Sequence, residues 1–108
     1  MANIVDDLAG LDRVVHEPAR LSILTALAAC KSADFTSLQR LTGLTVGNLS
    51  SHLSKLEEGG LVRVDKRFVN KKPNTQIQIT DGGRKAVERH WKQLDSLRKN
   101  SQAWKPEI

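Results

Sequence analysis

Apolar positions along this chain change their period twice, and each change marks a boundary between predicted elements. Ile4, Leu8, Leu11 and Val15 recur every three or four residues, with Val5 and Val14 widening the stripe and Asp6 and Asp7 in a favourable first turn. This spacing predicts an amphipathic helix over about 4–16. Pro18 suits the first turn of a second helix, whose Leu21, Leu24, Leu27 and Ala28 form a stripe ending near Cys30 and Lys31. Asp34 can cap a short third helix burying Phe35, Leu38 and Leu41, and Gly43 supplies a left-handed residue for a sharp turn into Thr45. A fourth helix follows, and at roughly 100° per residue its Leu49, Leu53 and Leu56 share one side. The period then falls to two. Val62 and Val64 alternate with Arg63 and Asp65, and Ile77 and Ile79 alternate with Gln76, Gln78 and Thr80, predicting a hairpin over 61–80. Its connection, Phe68 to Asn74, reads as a loop by its Pro and Asn content, and the lapse in alternation near Lys66 predicts a bulge. Helical spacing returns after Thr80 in Val87, His90, Trp91, Leu94 and Leu97, over about 81–100. The expected fold is therefore mainly α with a small β-hairpin (α+β), in one domain over 1–108.

The polar positions give these elements a use. Opposite Leu49, Leu53 and Leu56, the fourth helix presents Gly47, Ser51, Ser54 and Lys55, flanked by Asn48 and Ser50. Small side chains let a helix approach base edges, and Asn and Ser offer both donors and acceptors there. Thr45 as N-cap leaves amides of the first turn suited to a phosphate. Glu57 and Glu58 lie at the far end, so the N-terminal half is the part expected to enter a groove. By this pattern the pair 34–58 is a helix-turn-helix or an αα-hairpin with an ordinary solvated face, and the hairpin that follows favours the first. The hairpin behind it carries Lys66, Arg67, Lys71 and Lys72, the residue types that engage a phosphate backbone.

Charge supports the same division. The chain of 108 residues has a formal net charge of +5. Residues 1–44 hold four Lys/Arg against five Asp/Glu, residues 45–80 six against three, and residues 81–108 seven against four. The basic excess thus begins where the proposed reading helix begins. No segment approaches the roughly 18 apolar residues of a spanning helix, and the first thirty residues lack an apolar block ending in a cleavage site, so a cytoplasmic protein is expected.

The run VGNLSSHLSKLEEGGLV, then Lys66 and Phe68, then Asn70-Lys71-Lys72-Pro73-Asn74-Thr75, then Ile79-Thr80 followed by Gly83, resembles the short winged-helix transcriptional regulators related to the MarR and ArsR groups. LDRVVHEPARLSIL is similar to the opening helix junction of that group, so the likeness runs from about Leu11 to Leu97. It implies a winged helix-turn-helix that binds double-stranded DNA as a homodimer, with the helix after Thr45 as recognition helix and the loop from Val69 to Asn74 as wing. The resemblance implies DNA contacts by Asn48, Ser50, Ser51, Ser54 and Lys55 on the helix and by Lys71 and Lys72 on the wing; Thr45, Val46, Gly47, Lys66, Arg67, Asn70, Asn74 and Thr75 complete the expected DNA-binding set. Dimerisation is expected between the first and last helices of two copies, through Ile4, Leu8, Leu11, Val15, Val87, His90, Trp91, Leu94 and Leu97; the other reading is that the stripe folds back onto its own domain. A winged-helix module for protein contacts and a nonspecific DNA binder are the alternatives.

Departures from the larger groups narrow the chemistry. Metal-sensing ArsR proteins often carry a cysteine pair before the recognition helix, and here that helix has none. His16, His52 and His90 lie on different predicted elements without acidic or thiol partners at ligand spacing, so no metal or other cofactor is expected. With two Trp and two Phe, the chain lacks the aromatics of the longer MarR ligand pockets, and a small-molecule effector stays unassigned. Cys30 reads as a small apolar residue at a helix end, expected buried and inert; the other reading is an intersubunit disulfide switch. His52, at the edge of the core stripe, either orients its helix or donates to a phosphate. No phosphate-cradling loop or nucleophile with a base at recognisable spacing is present, so an enzyme is not expected.

Overall fold

The computed structural model describes residues 10–104 and 106. Among these, four helices and a three-stranded antiparallel sheet follow in the order α1 (Pro18–Cys30), β1 (Ser32–Asp34), α2 (Phe35–Thr42), α3 (Val46–Glu58), β2 (Val62–Val69), β3 (Lys72–Ile79) and α4 (Asp81–Ala103). The sheet order is β1-β3-β2.

Local chemistry accounts for most boundaries. Glu17 is extended, as a residue before proline must be, and its carboxylate accepts from the Arg20 amide, so α1 begins at Pro18. Asp34 accepts from the Ser37 amide at 2.7 Å. That hydrogen bond and the Ser37 hydroxyl hold its carboxyl below the usual range. Gly43 ends α2 in the left-handed region with φ 68°, and Thr45 caps α3 by accepting from the Asn48 amide at 3.1 Å.

The core gathers around α1. Ile23, Leu24 and Leu27 meet Leu38 of α2, Leu49, Leu53 and Leu56 of α3, Leu61, Val62 and Ile77 at the hairpin base, and Ala86 and Val87 of α4. At the entry to α4 the packing is backbone-close. Thr80 donates its hydroxyl to the Gly60 carbonyl at 2.6 Å and accepts from the Gly83 amide at 2.9 Å. A Cβ at Gly83 would overlap the Leu61 carbonyl oxygen, so no side chain fits there.

Five expectations are corrected. The described part of the first stripe, residues 10–16, forms turns rather than a helix. Asp12 takes the Val14 amide with its side chain and the His16 amide with its carbonyl, and Arg20 donates to the carbonyls of Val14 and Arg13. The His16 bond closes a single helical turn that is not continued, and the side-chain bonds of Asp12 and Arg20 take the place of further ladder bonds, although Leu11 and Val15 are buried as their spacing suggests. Ile4 and Leu8 lie outside the described residues. Leu41 is exposed, because a three-residue step turns it roughly 60° back from Leu38 and leaves Thr42 nearer the core side. The expected loop from Phe68 to Asn74 is a two-residue turn: Asn70 and Lys71 both have positive φ, 52° and 66°, and Val69 already pairs with Lys72. No bulge interrupts the ladder, whose register runs unbroken from Val62↔Ile79 to Val69↔Lys72. Cys30 is exposed, its thiol donating to the Ala26 carbonyl at 3.2 Å.

Candidate nucleic-acid interface

The capped start of α3 and the hairpin carry the outward polar residues. Thr45, Val46, Gly47, Asn48, Ser50, Ser51, Ser54 and Lys55 are all exposed, while Leu49, Leu53 and Leu56 face inward. This leaves one complete face of α3 without protein cover. Glu57, by contrast, serves the fold, since its carboxylate accepts from the Val64 amide at 3.1 Å. By the antiparallel alternation that amide points away from β3, so Glu57 covers a donor on the sheet edge.

His52 is half-buried and braced from α1. Its Nδ1 lies 3.2 Å from the Arg20 guanidinium and 3.6 Å from the Glu17 carboxylate. Burial works against charge on Glu17, but the amides of Arg20 and Ala19, with His52 and Arg20 nearby, hold its carboxyl below the usual range. The same Arg20 reaches back to residues 13 and 14, so one guanidinium ties the N-terminal turns to α3. Arg13, Arg20 and Lys55 line a shared cleft with Glu58. Neither arginine was among the residues expected near this surface, since sequence spacing says nothing of a contact across thirty-two positions. Glu17-Pro18 as a helix start was the available signal, because it fixes which way Arg20 leaves α1.

In the hairpin, strand alternation divides the residues between two faces. Lys66 and Thr75 form a crevice with Ser50 and Ser54 of α3. Arg67 and Lys72 fall on the other face, and Asn70 and Lys71 form the turn itself. Asn74 accepts from the Gln76 side chain at 3.1 Å. Lys66, Arg67, Asn70, Lys71 and Lys72 are exposed, and Asn74 and Thr75 are partly covered.

Residues expected at a dimer contact divide as well. Leu11, Val15, Val87 and His90 are buried within the chain itself. Trp91 is 47% exposed, and Leu94 and Leu97 continue its stripe along a half of α4 that contains no buried residue. Trp91 also closes a groove of about 740 Å³ with Leu21 and Ala26 of α1 and Leu41 and Leu44 around the α2–α3 turn. His90 pairs with His16, Nε2 to Nδ1, at 3.2 Å. Burial, then the neighbouring His16, lowers its pKa, against a weaker opposing pull from Asp12. Among the described residues no three of His, Cys, Asp and Glu gather as a metal site, and no helix is long and apolar enough to cross a membrane.

A capped helix pair packed on a third helix, running directly into a hairpin, is a winged helix-turn-helix. The chain belongs to the winged helix DNA-binding domain family, whose model matches residues 19–97. It is 34% identical to an uncharacterized protein of Methanocaldococcus jannaschii over 88 residues, 82% of this chain and 96% of that one. It is similar to the solved transcriptional regulator homologue of Pyrococcus horikoshii OT3, with a TM-score of 0.81 and 30% identity over 90% of this chain and 95% of that one. The overoxidized AbfR bound to DNA has the same fold, with a TM-score of 0.68 and 20% identity over 86% of this chain and 65% of that one. MarR, ArsR and PadR family regulators are further structural neighbours. The family and its neighbours are transcriptional regulators and not enzymes.

Proposed function

We propose that this protein is a sequence-specific transcriptional regulator that binds duplex DNA as a homodimer. The N-terminal half of α3 enters the major groove, and the hairpin lies on the backbone or the adjacent minor groove. One observation carries this reading: an exposed, N-capped helix face of Gly47, Asn48, Ser50, Ser51, Ser54 and Lys55 beside a crevice shared with Lys66 of the hairpin. Thr45 and Val46 present first-turn amides to a phosphate; Arg67, Asn70, Lys71, Lys72, Asn74 and Thr75 provide the hairpin contacts. Two copies meet through Trp91, Leu94 and Leu97 on the second half of α4, and their recognition helices read half-sites roughly 34 Å apart.

Selection from a random duplex pool at roughly 0.15 M salt tests this directly, because charge-only binding is suppressed there. Recovery of an inverted repeat is the expected result. A folded protein that enriches nothing is a nonspecific DNA binder or a protein-contact winged helix, the latter drawing on the apolar groove at Trp91. Sedimentation showing only a 12.0 kDa species at micromolar concentration would remove the homodimer.

A further inference from the structure

We infer that Phe68 is an apolar contact for the sugars lining the minor groove of bound DNA, a role that rests on the DNA-binding reading above. The pairing register puts Val62, Val64, Lys66 and Phe68 on one face of the hairpin with Ile79, Ile77, Thr75 and Pro73 opposite them. This face changes its surroundings along its length. At the base, Val62 and Ile77 are in the core. In the middle, Lys66 and Thr75 share their crevice with Ser50, Leu53, Ser54 and Glu57, so the face looks toward α3 along the edge of its polar side. At the end, Phe68 stands about 14 Å beyond Val64, at roughly 3.4 Å per residue. At 76% it is the most exposed large hydrophobic side chain among the described residues.

Charge identifies the occupant. Lys66 shares the face of the Phe68–Pro73 pair, Lys71 sits in the turn beyond it, Arg67 and Lys72 project from the other face of the same ribbon, and no acid occurs from Lys66 to Thr80. A surface that receives this apolar spot together with cations on both faces of the ribbon must be strongly anionic yet apolar between its charges. The minor groove meets both conditions, with phosphates on each rim and deoxyribose faces along its walls. A bound duplex on α3 is also the occupant that the orientation of this face brings within reach. An anionic membrane or an acidic protein would satisfy the charge without explaining why Phe68 stands on the hairpin face that turns toward α3.

The test is fluorescence anisotropy with a labelled mixed-sequence duplex of about thirty base pairs over roughly 50 to 200 mM salt. Wild type, Phe68→Ala, Phe68→Leu and Lys72→Ala are compared. Phe68→Ala should lower affinity by about tenfold at every salt concentration, leaving the salt slope unchanged, because apolar contact releases no counterions. Phe68→Leu should recover most of the loss, and Lys72→Ala should flatten the slope instead. If Lys72→Ala weakens binding while Phe68→Ala matches wild type, the Phe68 contact is overturned and DNA binding stands. If wild type binds no duplex, both readings fail. If Phe68→Ala changes the sedimentation of the free protein but not its DNA affinity, Phe68 belongs to a protein contact and the inference is wrong. Because Phe68 is exposed, both of its variants should unfold at the wild-type temperature, which separates a lost contact from a lost fold.

Discussion

The inner and outer halves of the hairpin have one register and one strand geometry in common but opposite surroundings. From Val62 to Val64 and from Ile77 to Ile79 the apolar face packs on the core. From Asp65 to Val69 every β2 side chain is exposed, and the ladder is held by backbone pairing and the Asn70-Lys71 turn. The strand therefore continues past the point where burial stops. Alternation in a sequence reports burial, not strand geometry, which is why it lapses at Lys66 while the pairing does not. The outer half is left free to carry Lys66, Arg67, Lys71 and Lys72 at little cost to the core.

The largest expected effect comes from disturbing the inner half. Gly83→Val would drive a side chain into the Leu61 carbonyl and the Ile79 side chain, where a Cβ alone would already overlap the first and lie 2.9 Å from the second. Denaturant unfolding should show a loss of about 3 kcal/mol or more, whereas Arg67→Ala on the outer half should stay within about 0.5 kcal/mol. Equal stability of the two variants would dissolve the distinction between the halves.

DNA binding should reverse that ranking. Lys72→Ala is expected to weaken all duplexes alike and to flatten the salt slope by about one, without loss of stability. Asn48→Ala, on the exposed face of α3, should cost about 1–3 kcal/mol at one base position and relax preference there. Identical behaviour of both variants across a panel of duplexes would show that helix and hairpin do not divide base reading from phosphate contact.

A pH titration addresses the packing beneath α4. Burial and His16 lower the pKa of His90 in the folded chain, so the unfolded chain takes up its proton at higher pH. The neutral His90 contribution is present above its unfolded pKa of about 6.5 and is lost as pH falls from there toward the folded value. Thermal unfolding should accordingly drop on the acid side, and His90→Leu should flatten that limb. A His90→Leu profile parallel to wild type would assign the acid loss to other groups.

How far the sequence carried differs by the range of the interactions. Pro18, Asp34, Gly43, Thr45 and Thr80 act within four residues, and each stands at the helix boundary that its chemistry implies. The first stripe was misleading for an instructive reason: Leu11 and Val15 are buried, but side-chain bonds from Asp12 and Arg20 hold their backbone in turns. β1 was illegible because Ser32, Ala33 and Asp34 have no apolar alternation and become a strand only by pairing with Gln78, Ile77 and Gln76 of β3. For the candidate site, the outward face of α3 followed from helical period alone. Its bracing by Arg20 through His52 did not, since only the tertiary fold brings α1 and α3 together.

The smallest effect sharpens the comparison at the seam between the two halves. Val64 is the last β2 residue with core contact, and its amide faces the open edge of the sheet, where the Glu57 carboxylate accepts it. Glu57→Ala removes that acceptor, but water can reach an edge amide, so the loss should fall at the low end of the range for one hydrogen bond, about 0.5 kcal/mol. Hydrogen exchange is the more sensitive measurement. If Glu57 pins the seam, the Val64 amide should exchange faster in the variant while amides of the Asp65↔Gln76 and Arg67↔Asn74 pairs keep their wild-type rates, because those face the partner strand. Faster exchange along the whole outer hairpin would mean that its order depends on α3 after all, and that the exposed half is not held by its own ladder and turn.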